Sequence, residues 1–333
     1  MKKFAHFIIL TLAATLCLSL ASCNGSNTNG ETTSSSNGSS IATQDTCDPL
    51  DEYTEGLVFE LNDDGSTYSV TGYTGKAKTV VIPQNYEGCP VTSIGDSAFY
   101  KNTSITSITI PDSITSIGDL AFYGCDSLTG NTYGNALYLG NESNKFLVLL
   151  KTKNTSMISL SIHPDTKIIA DYAFMNCNLL ISMTIPEGVT SIGCGAFINC
   201  KALTRVTIPE GITSIRMGTF NSCQSLTSIT IPDSVTSIAE TSFFGCTSLT
   251  NVFIPDGVTF IGPGAFGECS TLKSVTIPST VTSIRFSAFG ACPSLTSITY
   301  NGTEEQWNAI TKEFGWDSGS SSYTVHYTDS DIK

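Results

Sequence analysis

Residues 223–245 read CQSLTSITIPDSVTSIAETSFFG, and close variants of this stretch follow one another along most of the chain. The cysteine that opens the stretch recurs at a constant interval of 23 residues. The cysteines spaced in this way are Cys177, Cys200, Cys223, Cys246, Cys269 and Cys292. A fixed period in the twenties is typical of a solenoid, in which each repeat forms one coil and stacks on its neighbours.

The apolar positions of the repeat predict its local structure. Ile229 and Ile231 are two residues apart, which places both side chains on one face of a strand. Pro232 ends that strand because it lacks a backbone donor, and residues 235–238 read as a second short strand after a turn. The stretch that ends at Phe243 is predicted to form a single helical turn. The expected fold is a mainly β leucine-rich repeat solenoid with one short helical turn per 23-residue coil.

A single coil would expose its apolar interior on both flanks, so coils must stack and the array must be capped at each end. Pairs of alanine and phenylalanine, with Thr219 and Ser242 in place of alanine in two of them, mark eight coils. Their phenylalanines are Phe99, Phe122, Phe174, Phe197, Phe220, Phe243, Phe266 and Phe289.

The two ends of the predicted solenoid, residues 49–300, differ from its body. Residues 57–73 alternate apolar and polar side chains around Asp64-Gly65, which predicts a hairpin that covers the first coil. Residues 301–333 are predicted to form a helix and strand cap, because Thr303 and Gln306 have capping-box spacing. Trp307 and Trp316 both lie in this cap and are expected to cover the open end of the core rather than to bind a ligand.

The period is interrupted once. Cys125 and Cys177 are 52 residues apart, which is two periods plus six residues. The excess lies near two apolar segments, residues 136–139 and 146–149, and predicts a hairpin insertion at about residues 131–156 that projects from the array. Such an insertion either decorates a binding face or braces the array locally, and the sequence leaves both interpretations open.

The first 48 residues have the composition of an export and anchoring segment. Lys2 and Lys3 precede a largely apolar stretch, residues 4–20, and Leu20-Ala-Ser-Cys23 follows. Residues 1–22 resemble a bacterial lipoprotein signal peptide, which implies cleavage before Cys23 and lipidation of that cysteine. An ordinary signal peptide and a membrane-spanning helix are the alternatives. Residues 23–48 are rich in Gly, Ser, Thr and Asn and are predicted to be a flexible tether.

The repeat pattern, tether and caps together resemble the BspA-like leucine-rich repeat surface proteins of bacteria. The shared pattern is Cys-x-x-Leu-x-x-Ile-x-Ile-Pro, then Val-x-x-Ile and Ala-Phe, over about residues 57–333. The C-terminal cap shares Gly302, Thr303, Trp307 and Ile310, whereas Asn102 and Tyr327 stand where cysteines are expected. The resemblance implies display on the bacterial cell surface and binding to proteins of host or neighbouring cells or of the extracellular matrix. It implies no catalytic residue.

Charge and motif content disfavour several other functions. The chain carries 16 Lys and Arg against 29 Asp and Glu, a net charge of −13, which opposes nucleic-acid binding. Outside the signal segment His163 and His326 are far apart and lack metal-ligand spacing. No nucleophile elbow or phosphate-binding loop occurs. The sequence therefore predicts a protein that is not an enzyme and has no cofactor and no metal site.

Seven cysteines, the six above and Cys125, occupy one position of the repeat and are predicted to be buried free thiols, a structural ladder. Metal binding would need ligands that converge, and disulfides would favour irregular pairing of distant loops. Cys47, Cys89 and Cys194 lie off the ladder, and a bridge between Cys47 and Cys89 stays open.

Outward-facing strand residues are mostly Ser and Thr, as strand propensity alone would give. Arg205, Asn251 and Phe253 depart from this pattern and are the candidate binding residues, because Arg and aromatic side chains are enriched at binding hot spots. Chance variation is the alternative, since single exposed apolar residues are common.

The function predicted from these features is a lipid-anchored cell-surface adhesin or protein-interaction module. The alternative is a surface glycan-binding component of a nutrient-capture complex. That alternative requires exposed aromatic side chains lined up as platforms for sugar rings. A further hypothesis is that calcium bridges neighbouring coils through the acidic residues that follow six of the turn prolines, Asp112, Asp165, Glu187, Glu210, Asp233 and Asp256.

Overall fold

The computed structural model describes residues 52–328, which form a β-solenoid of about 11 turns. This confirms the predicted fold class. The predicted signal peptide, Cys23 and the predicted tether lie outside the described residues. Eight turns carry the Ala-Phe pair or its variant, and the turns that contain β2, β10 and β22 lack it, so the pairs undercount the coils.

The strands and the helix have the following bounds. The strands are β1 (Leu57–Leu61), β2 (Tyr68–Tyr73), β3 (Thr79–Val81), β4 (Asn85–Tyr86), β5 (Cys89–Ile94), β6 (Ser107–Thr109), β7 (Ser116–Ile117), β8 (Asn131–Tyr133), β9 (Ala136–Leu139), β10 (Val148–Thr152), β11 (Ile168–Ile169), β12 (Ser182–Thr184), β13 (Ser191–Ile192), β14 (Arg205–Thr207), β15 (Ser214–Ile215), β16 (Ser237–Ile238), β17 (Asn251–Phe253), β18 (Phe260–Ile261), β19 (Ser274–Pro278), β20 (Ser283–Ile284), β21 (Ser297–Asn301), β22 (Thr311–Lys312) and β23 (Thr324–Tyr327). The helix is α1 (Glu304–Ala309).

Two columns of parallel strands carry the solenoid. In the first column, which contains β15, β16, β18, β20 and β22, Ile238 of β16 lies opposite Ile261 of β18 and both are buried. The second column contains β17, β19, β21 and β23 near the C-terminal end. Because the repeat length is constant, each inward isoleucine meets its counterpart in the next coil, which preserves the register.

The third side of each coil consists of hydrogen-bonded turns that place the repeated phenylalanine in the core. Phe174, Phe197, Phe220, Phe243, Phe266 and Phe289 are fully buried, and consecutive rings stack with centroids 4.8 to 5.4 Å apart. The expected helical turn before Phe243 is a hydrogen-bonded turn and not a helix. Within residues 52–328, α1 is the only α-helix.

Both predicted caps are present. β1 and β2 form an antiparallel hairpin, and β2 joins the first strand column by pairing with β5. At the other end Thr303 caps α1 with the predicted capping box. Trp307 of α1 is buried against Tyr300 and Trp316, with ring centroids 5.3 and 6.0 Å away, so the two tryptophans cover the core as expected.

The insertion does not project from the array, which corrects the expectation from sequence. All four residues of β9 are buried, and β9 pairs with both β8 and β10 in a sheet that continues through β11 and β13. Leu137 and Leu139 pack into one hydrophobic cluster, whereas Ala136 and Tyr138 pack into another. The hairpin is therefore an internal brace with both faces covered.

The hydrophobic core is divided at this hairpin. One cluster contains residues from Val70 to Ala170, the other contains residues from Ala136 to Ile310, and the strands of the hairpin contribute to both. We call this junction the seam. It lies between the coil of β7 and the coil of β11 and contains β9 and β10. Phe122 stacks on Phe99 before the seam, and the next phenylalanine stack begins at Phe174 after it.

Candidate binding surfaces

The cysteine ladder lies inside the solenoid. The seven ladder cysteines are buried free thiols, and most of them donate a hydrogen bond to the phenylalanine carbonyl 26 residues earlier, as Cys223 does to Phe197 at 3.2 Å. Burial raises the pKa of Cys223, Cys246 and Cys269, and it raises the pKa of Cys292 to about 11. Cys89 also has a free thiol, and Cys47 lies outside the described residues. The ladder is part of the core and offers no surface for a ligand.

The three candidate binding residues are exposed on two strands, β14 and β17, which belong to separate parallel sheets. Arg205 opens β14, and Asn251 and Phe253 begin and end β17. Asn251 accepts a hydrogen bond of 2.7 Å from Ser274 of the next coil, whereas the Phe253 side chain is 54% exposed. One coil lies between them, so an arginine and an aromatic ring share one face of the solenoid.

An exposed apolar patch beside this face was missed from the sequence. Ile158, Leu179 and Ile181 are 62%, 53% and 48% exposed, and the Ile181 amide donates to the Ile158 carbonyl at 3.0 Å. The patch could have been found from the repeat pattern. Ile181 is apolar, whereas the equivalent positions of later coils hold four threonines and a lysine. Thr204, next to Arg205, bonds to the Ile181 carbonyl, so the patch continues into the predicted face. The patch and the three candidate residues together are called the docking face below.

A group of polar side chains from four coils joins the two sides of the seam. Arg216 donates to the Ile117 carbonyl at 3.0 Å and pairs with Asp119, and its guanidinium lies 4.0 Å from Asp171. The Cys194 thiol donates to Asp119 at 3.0 Å. Arg216, Asp119, Asp171 and Cys194 are called the clasp below. The clasp ties residues almost one hundred positions apart in the chain.

The clasp contains the one group of three potential metal ligands found within residues 52–328, with ligand atoms of Asp119, Asp171 and Cys194 within 4.8 Å of one another. The guanidinium of Arg216 already supplies positive charge to both carboxylates. Burial raises the pKa of Asp171 and of Cys194. The acidic turn residues proposed to bind calcium form no such group within the part of the chain that the structure describes.

Two recesses flank the clasp. One is a groove of about 400 Å³ lined by strand hydroxyls such as Ser116 and Ser214 and by Arg216, which the clasp already engages. The other is a cleft of about 140 Å³ lined by Tyr123 and Tyr172. Tyr123 also stacks on Tyr100, with ring centroids 5.8 Å apart. Tyr100, Tyr123 and Tyr172 are called the tyrosine row below.

Residues 52–328 include no helix that is long and apolar enough to span a membrane.

Comparisons with known proteins agree with the fold. The family model of the BspA type leucine rich repeat region matches the chain in 6 copies, over residues 72–145, 152–262 and 190–311. Among curated proteins, none matches.

Similar solved structures include three bacterial leucine-rich repeat proteins. The protein from Bacteroides ovatus is 25% identical with a TM-score of 0.48, and the match covers 82% of this chain and 70% of that chain. A leucine rich cell surface protein from Faecalibacterium prausnitzii is 25% identical with a TM-score of 0.32, covering 80% and 99%. A protein from Eubacterium ventriosum is 22% identical with a TM-score of 0.44, covering 80% and 93%.

Proposed function

Because this chain belongs to the BspA type leucine-rich repeat family of bacterial surface proteins, we propose that it is a lipid-anchored adhesin that binds proteins of host or neighbouring cells through its docking face. Repeats of this type are a scaffold for protein interaction and are generally not enzymes, so we infer binding without turnover.

The observation that carries this proposal is the composition of the docking face. Most outward strand residues are Ser or Thr, whereas Arg205, Phe253 and the apolar patch depart from this pattern on neighbouring coils, with one coil between Arg205 and Phe253. Single exposed apolar residues are common, but several on one surface are typical of an interaction site. The constant length of the repeat spaces these coils evenly, which favours a broad and shallow contact.

The double substitution Phe253→Ala with Arg205→Ala is expected to weaken partner binding at least tenfold, since truncation of such hot-spot residues typically costs more than about 1 kcal/mol each. The melting temperature should stay unchanged because both side chains are exposed. Binding is measured on intact cells against a panel of extracellular-matrix and host-surface proteins.

The matched control is Ser228→Ala with Thr230→Ala, which truncates the equivalent positions of the coil between them. This control should bind like the wild-type protein. Wild-type affinity of the Phe253 and Arg205 variant for every partner in the panel would refute the assignment of the docking face.

The anchoring part of the proposal rests on Leu20-Ala-Ser-Cys23 after an apolar segment. Replacing Cys23 with alanine is expected to move the protein from the membrane fraction to the soluble fraction, because the acyl chains would be lost. Cell fractionation followed by immunoblotting measures this. Cys17→Ala is the matched control and should leave the protein at the membrane. Retention of the Cys23→Ala variant would show that residues 4–20 are an uncleaved anchor.

A second candidate function, binding of surface glycans, is favoured by one specific observation. Glycan binding requires exposed aromatic side chains in a line, and the tyrosine row provides them. Within it Tyr100 and Tyr123 are exposed and stack on each other.

A further inference from the structure

We propose that the cleft between Tyr123 and Tyr172 binds a neutral sugar ring, so that the seam forms a carbohydrate site separate from the docking face. This inference rests on the second proposed function, and it assigns the residues and the ligand class.

The cleft exists because the repeat is broken at the seam. In the regular coils after the seam, each repeated phenylalanine covers the ring of the coil before it, as Phe220 covers Phe197 and Phe243 covers Phe220. The turn that contains β10 has no Ala-Phe pair, and the space beside Phe122 stays open. The cleft measures about 140 Å³. A single water needs only roughly 10–15 Å³, so the space admits a larger molecule.

Aromatic rings form the wall of this cleft. Tyr123 and Tyr172 meet edge to face with centroids 5.6 Å apart, and Tyr100 stacks on Tyr123 with an interplanar angle of 15°. Tyr100 and Tyr123 are 42% and 45% exposed, so the aromatic surface continues from solvent into the cleft. The face of a tyrosine ring carries negative charge, and the C–H groups on one face of a sugar ring carry slight positive charge, which favours stacking of the two.

Two charged side chains at the cleft have no partners among the described residues. Asp126 and Lys151 line it, and neither side chain forms a hydrogen bond or an ion pair within residues 52–328. The hydroxyls of the tyrosine row also lack hydrogen-bond partners in that range. Sugar hydroxyls both donate and accept, so they match a carboxylate, an ammonium group and phenols together. Asp171 also lines the cleft, but it already accepts hydrogen bonds from the Leu120 and Cys194 amides and lies 4.0 Å from the Arg216 guanidinium. The two charges without partners, one positive and one negative, balance and favour a neutral ligand.

Tyr172 occupies a backbone position that suits glycine better. Its φ is +58°, and the equivalent positions of later coils, all with positive φ, hold three glycines and two small hydroxyl residues: Gly195, Gly218, Thr241, Gly264 and Ser287. A bulky residue in the left-handed region costs of order 1–3 kcal/mol, and such positions cluster at functional sites. Burial raises the pKa of Tyr172 to about 12, so its hydroxyl remains a donor at neutral pH.

The test uses the full chain and methyl glycosides of glucose, galactose, mannose and N-acetylglucosamine, with saturation-transfer NMR as the readout. At least one of these neutral sugars should give a signal, and Tyr123→Ala should reduce its affinity at least tenfold. Tyr172→Gly should do the same while the melting temperature does not fall, because glycine relieves the backbone strain. Tyr172→Phe keeps the stacking ring and should lose less.

The site is refuted if none of these sugars gives a signal with the wild-type chain. Unchanged sugar affinity in Tyr123→Ala and Tyr172→Gly would also overturn the site, although it would leave glycan binding elsewhere on the protein intact. The Phe253 and Arg205 double variant serves as the control and should retain the sugar signal. Loss of protein binding with retention of sugar binding in that variant separates the two functions.

Discussion

Raising the pH from 8 to 10 is expected to lower the free energy of unfolding by roughly 5 kcal/mol. The cause is the cysteine ladder. Burial raises the pKa of Cys223, Cys246, Cys269 and Cys292 above the ordinary value of 9.0. In the unfolded chain the same thiols ionise near pH 9.

The direction follows from proton binding. Above pH 9 the unfolded chain loses thiol protons while the folded chain keeps them, so rising pH favours unfolding. The stability that the thiols contribute is complete below pH 9 and is lost as the pH approaches the folded-state values. At pH 10 each of the four thiols lowers the free energy of unfolding by about 1.4 kcal/mol, and the four together give the loss of roughly 5 kcal/mol.

Urea unfolding followed by circular dichroism at pH 8, 9 and 10, with reductant present, measures this loss. Cys223→Ser with Cys246→Ser is the matched control, since a serine hydroxyl can donate to the same phenylalanine carbonyl but does not ionise in this range. The control should lose about half as much stability. Equal stability of the wild-type protein at pH 8 and pH 10 would contradict the assignment of buried, protonated thiols.

Replacing Phe220 with alanine is expected to cost about 3–5 kcal/mol of unfolding free energy. The Phe220 ring is fully buried and stacks between Phe197 and Phe243, with centroids 5.3 and 5.4 Å away. Its loss leaves a cavity between coils whose backbones are fixed by hydrogen bonds on both sides, such as the bond from the Phe220 amide to the Ser242 carbonyl. The cavity therefore cannot collapse easily.

Chemical denaturation of the purified variant measures the cost. Phe253→Ala is the control of the same residue type, and because that ring is exposed it should change stability by less than about 0.5 kcal/mol. Similar losses in the two variants would show that the ring stack does not stabilise the solenoid.

The periodic part of the fold could be predicted from sequence because a 23-residue period specifies each coil and its register at once. The inward positions of Ile229, Ile231 and Phe243 followed from spacing alone, and all three are buried. The cap helix followed from the capping-box spacing of Thr303 and Gln306. These features depend on contacts within one coil or between adjacent coils.

The seam was not predictable in the same way. Arg216 pairs with Asp119, 97 positions away in the chain, across the break in the period. The repeat pattern relates residues 23 positions apart and therefore does not predict this contact. The burial of the insertion had a signal that the prediction did not use. Residues 136–139 read Ala-Leu-Tyr-Leu, a continuous apolar run, and a strand covered on both faces has that composition. The tyrosine row depends on the same break, so its cleft could not be derived from the repeat.

The clasp also limits how the gene can change its length. Repeats of constant period are readily gained and lost by recombination, and coils beyond Arg216 contact only their neighbours, so that end can grow or shrink by whole units. Loss of one unit between the seam and Arg216 would bring Ala239 to its place and leave two carboxylates without their cation. We expect variation in coil number among descendants of this gene to fall on the C-terminal side of Arg216.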